Sequence, residues 1–281
     1  MEASLVTTIE TPAPGVYPRI PSEDYHRWKA LSSSMLKRIV RSPSHLRDYL
    51  DNPKPSTKDQ IFHTAIHTAV LEPDRFVAEY VKAPALDRRT KEGKAAWAVL
   101  METYGASRVL DEDDYATCIA ARAGLLEMPK LMELLRLDDP ALVDFELSFV
   151  WEENGVLCKG RADLVNTHYQ DGALVDLKST NDARPHKFQW QMRDNGDHVQ
   201  GAFYSRGLIA NGIPIEACYL VAIEDSPPAR ARGYRIHAGL MEHAEIQVSA
   251  GVAAYKDCLA TDKWPGYEDR IESIGAPQAR P

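Results

Sequence analysis

Asp163, Asp176 and Lys178 are the residues whose types and spacing could carry out chemistry. All three fall within 156–178, where apolar and β-branched residues predict two strands around a short polar break. Because side chains alternate along a strand, Asp176 and Lys178 share one face, while Leu177 points into a core. If the strands are neighbours, the two carboxylates form a hard oxygen site for Mg²⁺ or Mn²⁺. An exposed Asp-x-Lys without any chemistry is the alternative that spacing leaves open.

The composition describes a chain with a hydrophobic core and a surplus of acidic residues. Of the 281 residues, 44% are hydrophobic and 26% are charged, the formal net charge is −8, and the mean hydropathy is −0.37. This length fits one large or two small domains. The acidic balance argues against coating nucleic acid through global charge, but it allows basic residues to line one channel.

The predicted location is the cytoplasm. No stretch approaches the roughly 18 apolar residues of a membrane span, and residues 1–10 lack the basic start and apolar stretch of a signal peptide. The cysteines lie far apart without a Cys-x-x-Cys pair, which argues against a zinc knuckle or a local disulfide framework. We therefore expect reduced cysteines in the core: Cys118, Cys158, Cys218 and Cys258.

Hydrophobic periodicity divides the chain into a helical part and a strand-rich part, with a change of composition at Ala141. The prolines of residues 1–22 predict an extended arm. Helical spacing predicts helices at 57–72, 94–104, 112–126, 128–136, 186–193, 197–210 and 240–260, and Asp197 is expected to cap 197–210. Strand spacing predicts strands at 142–151, 156–166, 172–178, 215–224 and 230–238, with a hairpin turn at Asn154-Gly155.

Hydroxyl and imidazole groups occur on two predicted helices of the N-terminal part. Ser32 or Ser33 suits a helix N-cap, and a serine-rich helix start also offers hydroxyls and N–H groups to a phosphate. Both interpretations stay open. His63 and His67 lie four residues apart on one helix face, a spacing compatible with a metal pair or with a buried, hydrogen-bonded histidine.

Six sequence motifs, in order along the chain, resemble the PD-(D/E)XK nuclease superfamily, and within it the C-terminal nuclease group of exonuclease VIII of phage and prophage origin. The match departs from the superfamily name at two positions, with alanine before Asp163 and with Asp176 in place of glutamate. The motifs are Leu31-Ser-Ser-Ser-Met-Leu-Lys, Phe62-His-Thr-Ala-Ile-His67, Gly160-Arg-Ala-Asp163, Val175-Asp176-Leu-Lys178, Gln200-Gly-Ala-Phe-Tyr204 and Trp264-Pro-Gly-Tyr267.

The resemblance implies an α/β fold with a restriction-endonuclease-like core, in which helices flank a mixed central sheet. We expect one nuclease domain over 23–268, made of an N-terminal helical extension (23–140) and a catalytic core (141–268). The arm 1–22 and a polar tail at 269–281 lie outside it.

The resemblance also implies a metal site and its ligands. Asp163 and Asp176 would bind Mg²⁺ or Mn²⁺, with the backbone carbonyl of Leu177 available between them. His67, rather than His63, matches the active-site histidine, either as a metal ligand or as a contact to the scissile phosphate. Glu146, on the strand 142–151, is expected to be a further outer ligand.

The remaining catalytic and phosphate-binding roles follow from the same resemblance. Lys178 would position the attacking water. Gln200 and Tyr204, four residues apart on one helix face, would orient Lys178 or contact the DNA backbone. Ser32 and Ser34 would hold a terminal phosphate.

Basic residues close in sequence to the expected metal centre are candidates for DNA binding: Lys159, Arg161, Arg184, Lys187 and Arg193. A basic surface loop is predicted to form a second, mobile contact through Arg88, Arg89, Lys91 and Lys94.

The expected activity is metal-dependent 5′-to-3′ digestion of linear duplex DNA in phage-type recombination. The resemblance implies a ring-shaped homo-oligomer, trimeric or tetrameric, and a phage single-strand annealing protein as partner. One alternative is an AddB-like or CRISPR-adaptation-like nuclease. Those enzymes carry clustered cysteines near the C-terminus, where this chain has only Cys258, so no iron–sulfur cluster is expected. The other is a DNA-binding protein that lost catalysis, and retention of Asp163 with Asp176 and Lys178 argues against it.

Overall fold

A computed structural model describes residues 10–87, 89–271 and 273. Its helices are α1 (Ser22–Arg27), α2 (Ser33–Arg41), α3 (Pro43–Asp51), α4 (Lys58–Leu71), α5 (Pro73–Glu79), α6 (Lys91–Tyr104), α7 (Glu112–Leu126), α8 (Pro129–Leu135), α9 (Pro185–Asp194), α10 (Asp197–Ala210) and α11 (Ala238–Thr261), with a 3-10 turn at Pro140–Leu142. Its strands are β1 (Gly15–Tyr17), β2 (Val81–Lys82), β3 (Val109–Leu110), β4 (Asp144–Glu153), β5 (Val156–Asn166), β6 (Ala173–Thr180), β7 (Ala217–Glu224) and β8 (Ala231–Arg235).

Six strands form a mixed sheet in the order β1-β4-β5-β6-β7-β8, and β2 and β3 form a small parallel pair apart from it. Neighbouring strands of the large sheet are antiparallel, except that β6 and β7 run parallel. The connection between β6 and β7 passes through α9 and α10, as a parallel pair requires. The predicted mixed sheet flanked by helices is confirmed.

The hairpin between β4 and β5 has the turn that the sequence predicts. Asn154 and Gly155 have φ values of 53° and 79°, so both adopt the left-handed conformation of a two-residue hairpin loop. Glu153 and Val156 form the last pair of the ladder on either side of them. This turn sets the register of β4 against β5.

Two helical layers cover the two faces of the sheet. Buried side chains of α2, α3, α10 and α11 pack on one face, and those of α4, α7 and α8 pack on the other. Along β6, Leu174 belongs to the first core, while Val175 and Leu177 belong to the second. The helical part 23–140 therefore contributes to both covering layers, while α10 and α11 of the strand-rich part complete one of them.

Several short elements were not predicted from the sequence. The predicted arm contributes β1, which pairs with the edge of β4. Pro73 occupies the first turn of α5, and Pro43 does the same in α3. Proline suits that position because its missing N–H would have no partner there.

The closing motif at the end of the domain packs against the start of the chain. The hydroxyl of Tyr267 accepts a hydrogen bond from Arg41 Nε at 3.0 Å. The N–H of Ser44 donates to the carbonyl of Pro265, also at 3.0 Å. Residues after α11 are thereby attached to α2 and α3.

All four cysteines are buried and none is in a disulfide. Among the described residues, no helix combines the length and apolar character needed to cross a membrane.

Candidate active site

Three carboxylate side chains lie in one row across three adjacent strands. In the ladder between β4 and β5, the pairs Phe145–Leu164 and Leu147–Ala162 flank Glu146 and Asp163, so these two residues lie at the same level of the sheet. The ladder between β5 and β6 ends at the pair Leu164 and Val175, and one further step places Asp176 opposite Asp163. The predicted proximity of Asp163 and Asp176 is thus a consequence of strand register.

Asp163 occupies the gap that opens where β5 and β6 stop pairing. Its Oδ2 accepts the backbone N–H of Leu177 at 2.7 Å, and His67 Nδ1 lies 3.6 Å from the same oxygen. Burial, together with the negative charges of Asp176 and Glu146, raises the pKa of Asp163 well above its usual range. Ionisation of Asp163 is therefore unfavourable in the folded, metal-free protein.

Asp176 and Lys178 share a face of β6, as predicted, and Leu177 between them is fully buried. Asp176 Oδ1 accepts a hydrogen bond from Gln200 Nε2 at 2.7 Å, and Oδ2 lies 2.5 Å from Lys178 Nζ. Burial also raises the pKa of Asp176. Burial acts to lower the pKa of Lys178, but the nearby carboxylates of Asp176 and Asp197 outweigh it, so its pKa is raised and the ammonium is charged.

The structure distinguishes the two histidines of α4. His67 lies beside Asp163, whereas His63 Nε2 lies 3.4 Å from Asp225 Oδ2, one turn away along the helix. Burial and the nearby Lys178 ammonium lower the pKa of His67 to about 4. His67 is consequently a neutral imidazole at physiological pH, able to bind a metal or to hydrogen-bond.

Helices α2 and α10 meet at the site through two matched pairs of side chains. Ser33 Oγ and the Tyr204 hydroxyl are 3.0 Å apart, and Lys37 Nζ donates to Gln200 Oε1 at 2.9 Å. Each pair joins residues four apart on one helix to residues four apart on the other, so each helix presents one face. Roles for Gln200 and Tyr204 were predicted from the sequence, but none was predicted for Lys37. The four-residue spacing between Ser33 and Lys37 could have indicated that both side chains lie on the same face of α2.

Asp197 also has a position that differs from the one that the sequence predicts. It is the first residue of α10 rather than its cap, and the N-cap is Gly196 in the left-handed conformation, with φ 65°. The Asp197 carboxylate points to Lys37 Nζ at 3.2 Å and to Lys178 Nζ at 3.5 Å. The side chain of Asp197 thus pairs with two half-buried ammonium groups, and it does not cap the helix.

Glu146 has a positive φ of 49°, which is uncommon for a residue with a side chain. Its Oε2 accepts from Arg161 Nε at 2.5 Å, and Arg161 also donates to the carbonyl of Ile20 at 2.8 Å. The ion pair turns the Glu146 carboxylate toward Arg161. A residue held in a sparsely populated conformation beside a carboxylate pair is a feature that functional sites often show.

A cavity of about 630 Å³ opens beside Asp163 and Tyr204. Ser32, Ser33 and Ser34 line it at the start of α2. Ser32 is the N-cap of α2, since its Oγ accepts from the N–H of Met35 at 3.4 Å, so the capping interpretation is confirmed. Ser32 and Ser34 also line the cavity, and their binding of a phosphate there stays a prediction.

The profile of a family described as "PDDEXK-like domain of unknown function (DUF3799)" matches residues 32–277, most of the chain. The chain belongs to this PDDEXK-like family. The sequence resemblance to the PD-(D/E)XK superfamily is thereby confirmed.

A solved structure shows the same fold. It is a protein of Eubacterium rectale named "Putative exonuclease", with a TM-score of 0.57 and 13% sequence identity, covering 93% of this chain and 97% of that one. Such low identity supports a common fold and nothing further. The structure of SSO0001 matches 77% of this chain and 85% of its own length at 15% identity, with a TM-score of 0.27. No curated protein matches the chain.

Nucleases with the PDDEXK fold bind divalent metals, and the donor chemistry of this site fits such an ion. Within the described residues, no three acidic, histidine or cysteine side chains converge as a metal-holding group. The contacts give the reason, because Lys178 lies against Asp176 and Arg161 turns Glu146 aside. Burial and the neighbouring carboxylates of Asp176 and Glu146 both raise the pKa of Asp163, so negative charge is unfavourable at this position. A divalent cation would supply the compensating positive charge.

The basic residues predicted to bind DNA have different surroundings. Lys159 is buried, and its ammonium group donates to the carbonyls of Tyr25 at 2.9 Å and Trp28 at 2.6 Å. Burial lowers its pKa to about 8. These contacts correct the sequence interpretation, because the folded chain already occupies the ammonium group of Lys159 and gives it a structural role.

Arg184 pairs with Asp182 at 2.6 Å, which neutralises much of its charge. Lys187 and Arg193 are exposed on α9, and α9 is tied to the end of β6 because Gln191 bonds to Thr180 Oγ1 at 2.6 Å. Contact of the exposed Lys187 and Arg193 side chains with phosphate stays a prediction. Of the basic loop, Lys91 and Lys94 lie in the exposed first turn of α6, Arg89 precedes it, and Arg88 lies outside the described residues.

Proposed function

We propose that this protein is a metal-dependent deoxyribonuclease that hydrolyses the phosphodiester bonds of linear duplex DNA from its ends. The observation that supports it most is the meeting of Asp163, Asp176 and Lys178 at the point where β5 and β6 separate. Two carboxylates and an ammonium group in that order match what phosphodiester cleavage needs. Membership of the PDDEXK-like family supports the same reaction class.

The chain supplies the ligands and the groups that orient them. Asp163 and Asp176 would hold Mg²⁺ or Mn²⁺ together with the carbonyl of Leu177, and neutral His67 would complete the set or contact the scissile phosphate. The bound ion would polarise the phosphate and make a coordinated water more acidic.

The charge and position of Lys178 suit two tasks in the reaction. Its ammonium group can donate a hydrogen bond to the attacking water, and it can offset the negative charge that develops on the phosphate. Gln200 holds Asp176 by a hydrogen bond and so fixes the carboxylate orientation. Tyr204 is fixed by Ser33 beside the same centre and lines the neighbouring cavity.

Attack from a DNA end follows from the proposed use of the cavity at the start of α2. Its serine hydroxyls and helix N-terminus suit a phosphate group, and its volume accommodates a terminal nucleotide. We propose 5′-to-3′ polarity, a ring-shaped homo-oligomer around the duplex, and cooperation with a phage single-strand annealing protein in the cytoplasm. These finer points rest on the resemblance to the exonuclease VIII group.

The deciding experiment compares linear duplex with closed circular duplex of the same sequence. We expect Mg²⁺-dependent release of nucleotides from 5′- or 3′-labelled linear DNA, and no loss of the circle. EDTA should abolish the activity and added Mn²⁺ should restore it. Equal rates on both substrates would favour an endonuclease. Binding without any cleavage would favour the DNA-binding alternative.

Salt dependence provides a second test of the DNA contact. With a net charge of −8, binding should rely on a few local basic residues, so affinity should fall with a log–log slope near −0.9 for each phosphate contact. Lys187→Gln should reduce that slope by about one contact. A slope equal to that of the unaltered protein would remove Lys187 from the interface.

A further inference from the structure

Lys37 approaches the active site from the layer of helices rather than from the sheet. Its side chain extends from α2 to the first turn of α10 and is 22% exposed. Its Nζ lies 3.2 Å from Asp197 Oδ1 and 2.9 Å from Gln200 Oε1. Gly196 lies beside the Lys37 stem, and its φ of 65° is in the left-handed region that favours glycine.

Lys37 makes the shorter of the two ammonium contacts that fix which way the amide of Gln200 points. The amide oxygen accepts from Lys37 and lies 3.4 Å from Lys178 Nζ, while the amide nitrogen donates to Asp176. A reversed amide would direct its N–H groups at two ammonium groups and its oxygen at a carboxylate. Only one orientation is therefore compatible with the charges around it.

Lys37 also shares the charge of Asp197 with Lys178. Asp197 is 3% exposed, and its Oδ2 is buried without a hydrogen-bond partner. Lys178 Nζ lies 2.5 Å from Asp176 but 3.5 Å from Asp197. If Lys37 were absent, the Asp197 carboxylate would be left with Lys178 as its one cation within 4 Å among the described residues, and would draw Lys178 away from Asp176.

We propose that Lys37 is a positioning residue, which neutralises Asp197 and locks the amide of Gln200 so that the Lys178 ammonium stays beside Asp176. The inference rests on the proposed nuclease function and deepens it. It gives the opening serine motif a second task, because the helix that begins at the cavity also holds the catalytic lysine in place.

The first test is Lys37→Met, which keeps the length of the side chain and removes its charge. We expect kcat to fall by about tenfold or more while KM for DNA changes by less than about twofold, since the variant alters the reacting groups and not the binding surface. Lys37→Arg should recover most of the activity. The matched control is Arg41→Met, the same loss of charge on the exposed end of α2, with activity unchanged.

A double variant separates positioning from simple loss of stability. In Lys37→Met/Asp197→Asn the competing carboxylate charge is also gone, so Lys178 is no longer drawn away and activity should exceed that of Lys37→Met. If Lys37 merely stabilised the fold, the second change would lower activity further. A double variant less active than Lys37→Met would overturn the inference.

Crystal structures of the unaltered protein and of Lys37→Met give a measure that does not depend on activity. We expect Lys178 Nζ in the variant to move from Asp176 toward Asp197. If the unaltered protein cleaves no DNA, the proposed function fails, and these structures alone decide the role of Lys37. An unmoved Lys178 with wild-type kcat in the variant would refute positioning and leave the nuclease function intact.

Discussion

Replacing Asp163 by asparagine should stabilise the metal-free protein while it removes the activity. The amide oxygen of asparagine can still accept the N–H of Leu177, which Asp163 accepts at 2.7 Å. The change removes one negative charge from a row that also contains Glu146 and Asp176. The unfavourable ionisation of Asp163, seen in its raised pKa, is thereby relieved.

The size of the gain follows from the charges nearby. Two carboxylates about 5 Å apart at an effective dielectric constant near 20 repel by about 3 kcal/mol. The ammonium group of Lys178 offsets part of this repulsion, so we expect a gain of about 1–2 kcal/mol in the free energy of unfolding. For a chain of 281 residues, that corresponds to a rise in Tm of roughly 2–3 °C.

The effect of Asp163→Asn on the free energy of unfolding should depend on pH, and linkage gives the direction of that dependence. A carboxyl whose pKa is higher in the folded than in the unfolded state costs stability above the folded pKa and costs nothing below the unfolded pKa. The advantage of Asp163→Asn should therefore be large at pH 8 and should vanish toward pH 4. Thermal unfolding in EDTA at both pH values measures it. Added Mg²⁺ should stabilise the unaltered protein more than the variant.

Asp176→Asn is the matched comparison. Asp176 also has a raised pKa, but it lies 2.5 Å from Lys178, so its loss leaves a buried ammonium with less compensation. We therefore expect Asp176→Asn not to raise the free energy of unfolding. Two results would refute the electrostatic argument for Asp163. The metal-free Asp163→Asn protein could be less stable than the unaltered protein at pH 8, or its gain in stability could be as large at pH 4 as at pH 8.

Three further predictions concern single residues of the site and its surroundings. Lys178→Met should abolish cleavage and leave DNA affinity within about twofold in a fluorescence anisotropy assay with Ca²⁺, because the lysine acts on the reacting phosphate; cleavage at the wild-type rate would exclude that role. His67→Ala should reduce the cleavage rate by about 100-fold, the cost of losing a metal ligand or phosphate contact. His63→Ala, which breaks a contact to half-buried Asp225, should change the rate little, and the reverse result would mean that α4 is rotated. Lys159→Met should lower the free energy of unfolding in urea by about 1–3 kcal/mol, because buried carbonyls lose their donor, with DNA binding preserved; weak binding by a fully stable variant would restore its predicted phosphate contact.

The sequence by itself determined the features that depend on local periodicity. The alternation along 142–166 and the Asn154-Gly155 turn predict two paired strands, because two-residue hairpin loops with left-handed residues fix their own register. The alternation of side chains along any strand likewise places Asp176 and Lys178 on one face of β6. The chemistry of the pair was therefore visible before the fold.

Tertiary structure alone decided which distant residues surround that pair. Lys37 and Asp197 meet across 160 positions of sequence, and no periodicity links them. Asp197 has the residue type and place of a helix cap, yet its carboxylate pairs with the half-buried ammonium groups of Lys37 and Lys178 instead. Lys159 looks like a DNA contact because it is charged and close in sequence to Asp163, but β5 carries it into the interior, where the backbone carbonyls of Tyr25 and Trp28 take its hydrogen bonds. Hydrogen bonds and charge pairs in a folded chain depend on distance in space, and distance in sequence constrains them only within a single helix or hairpin.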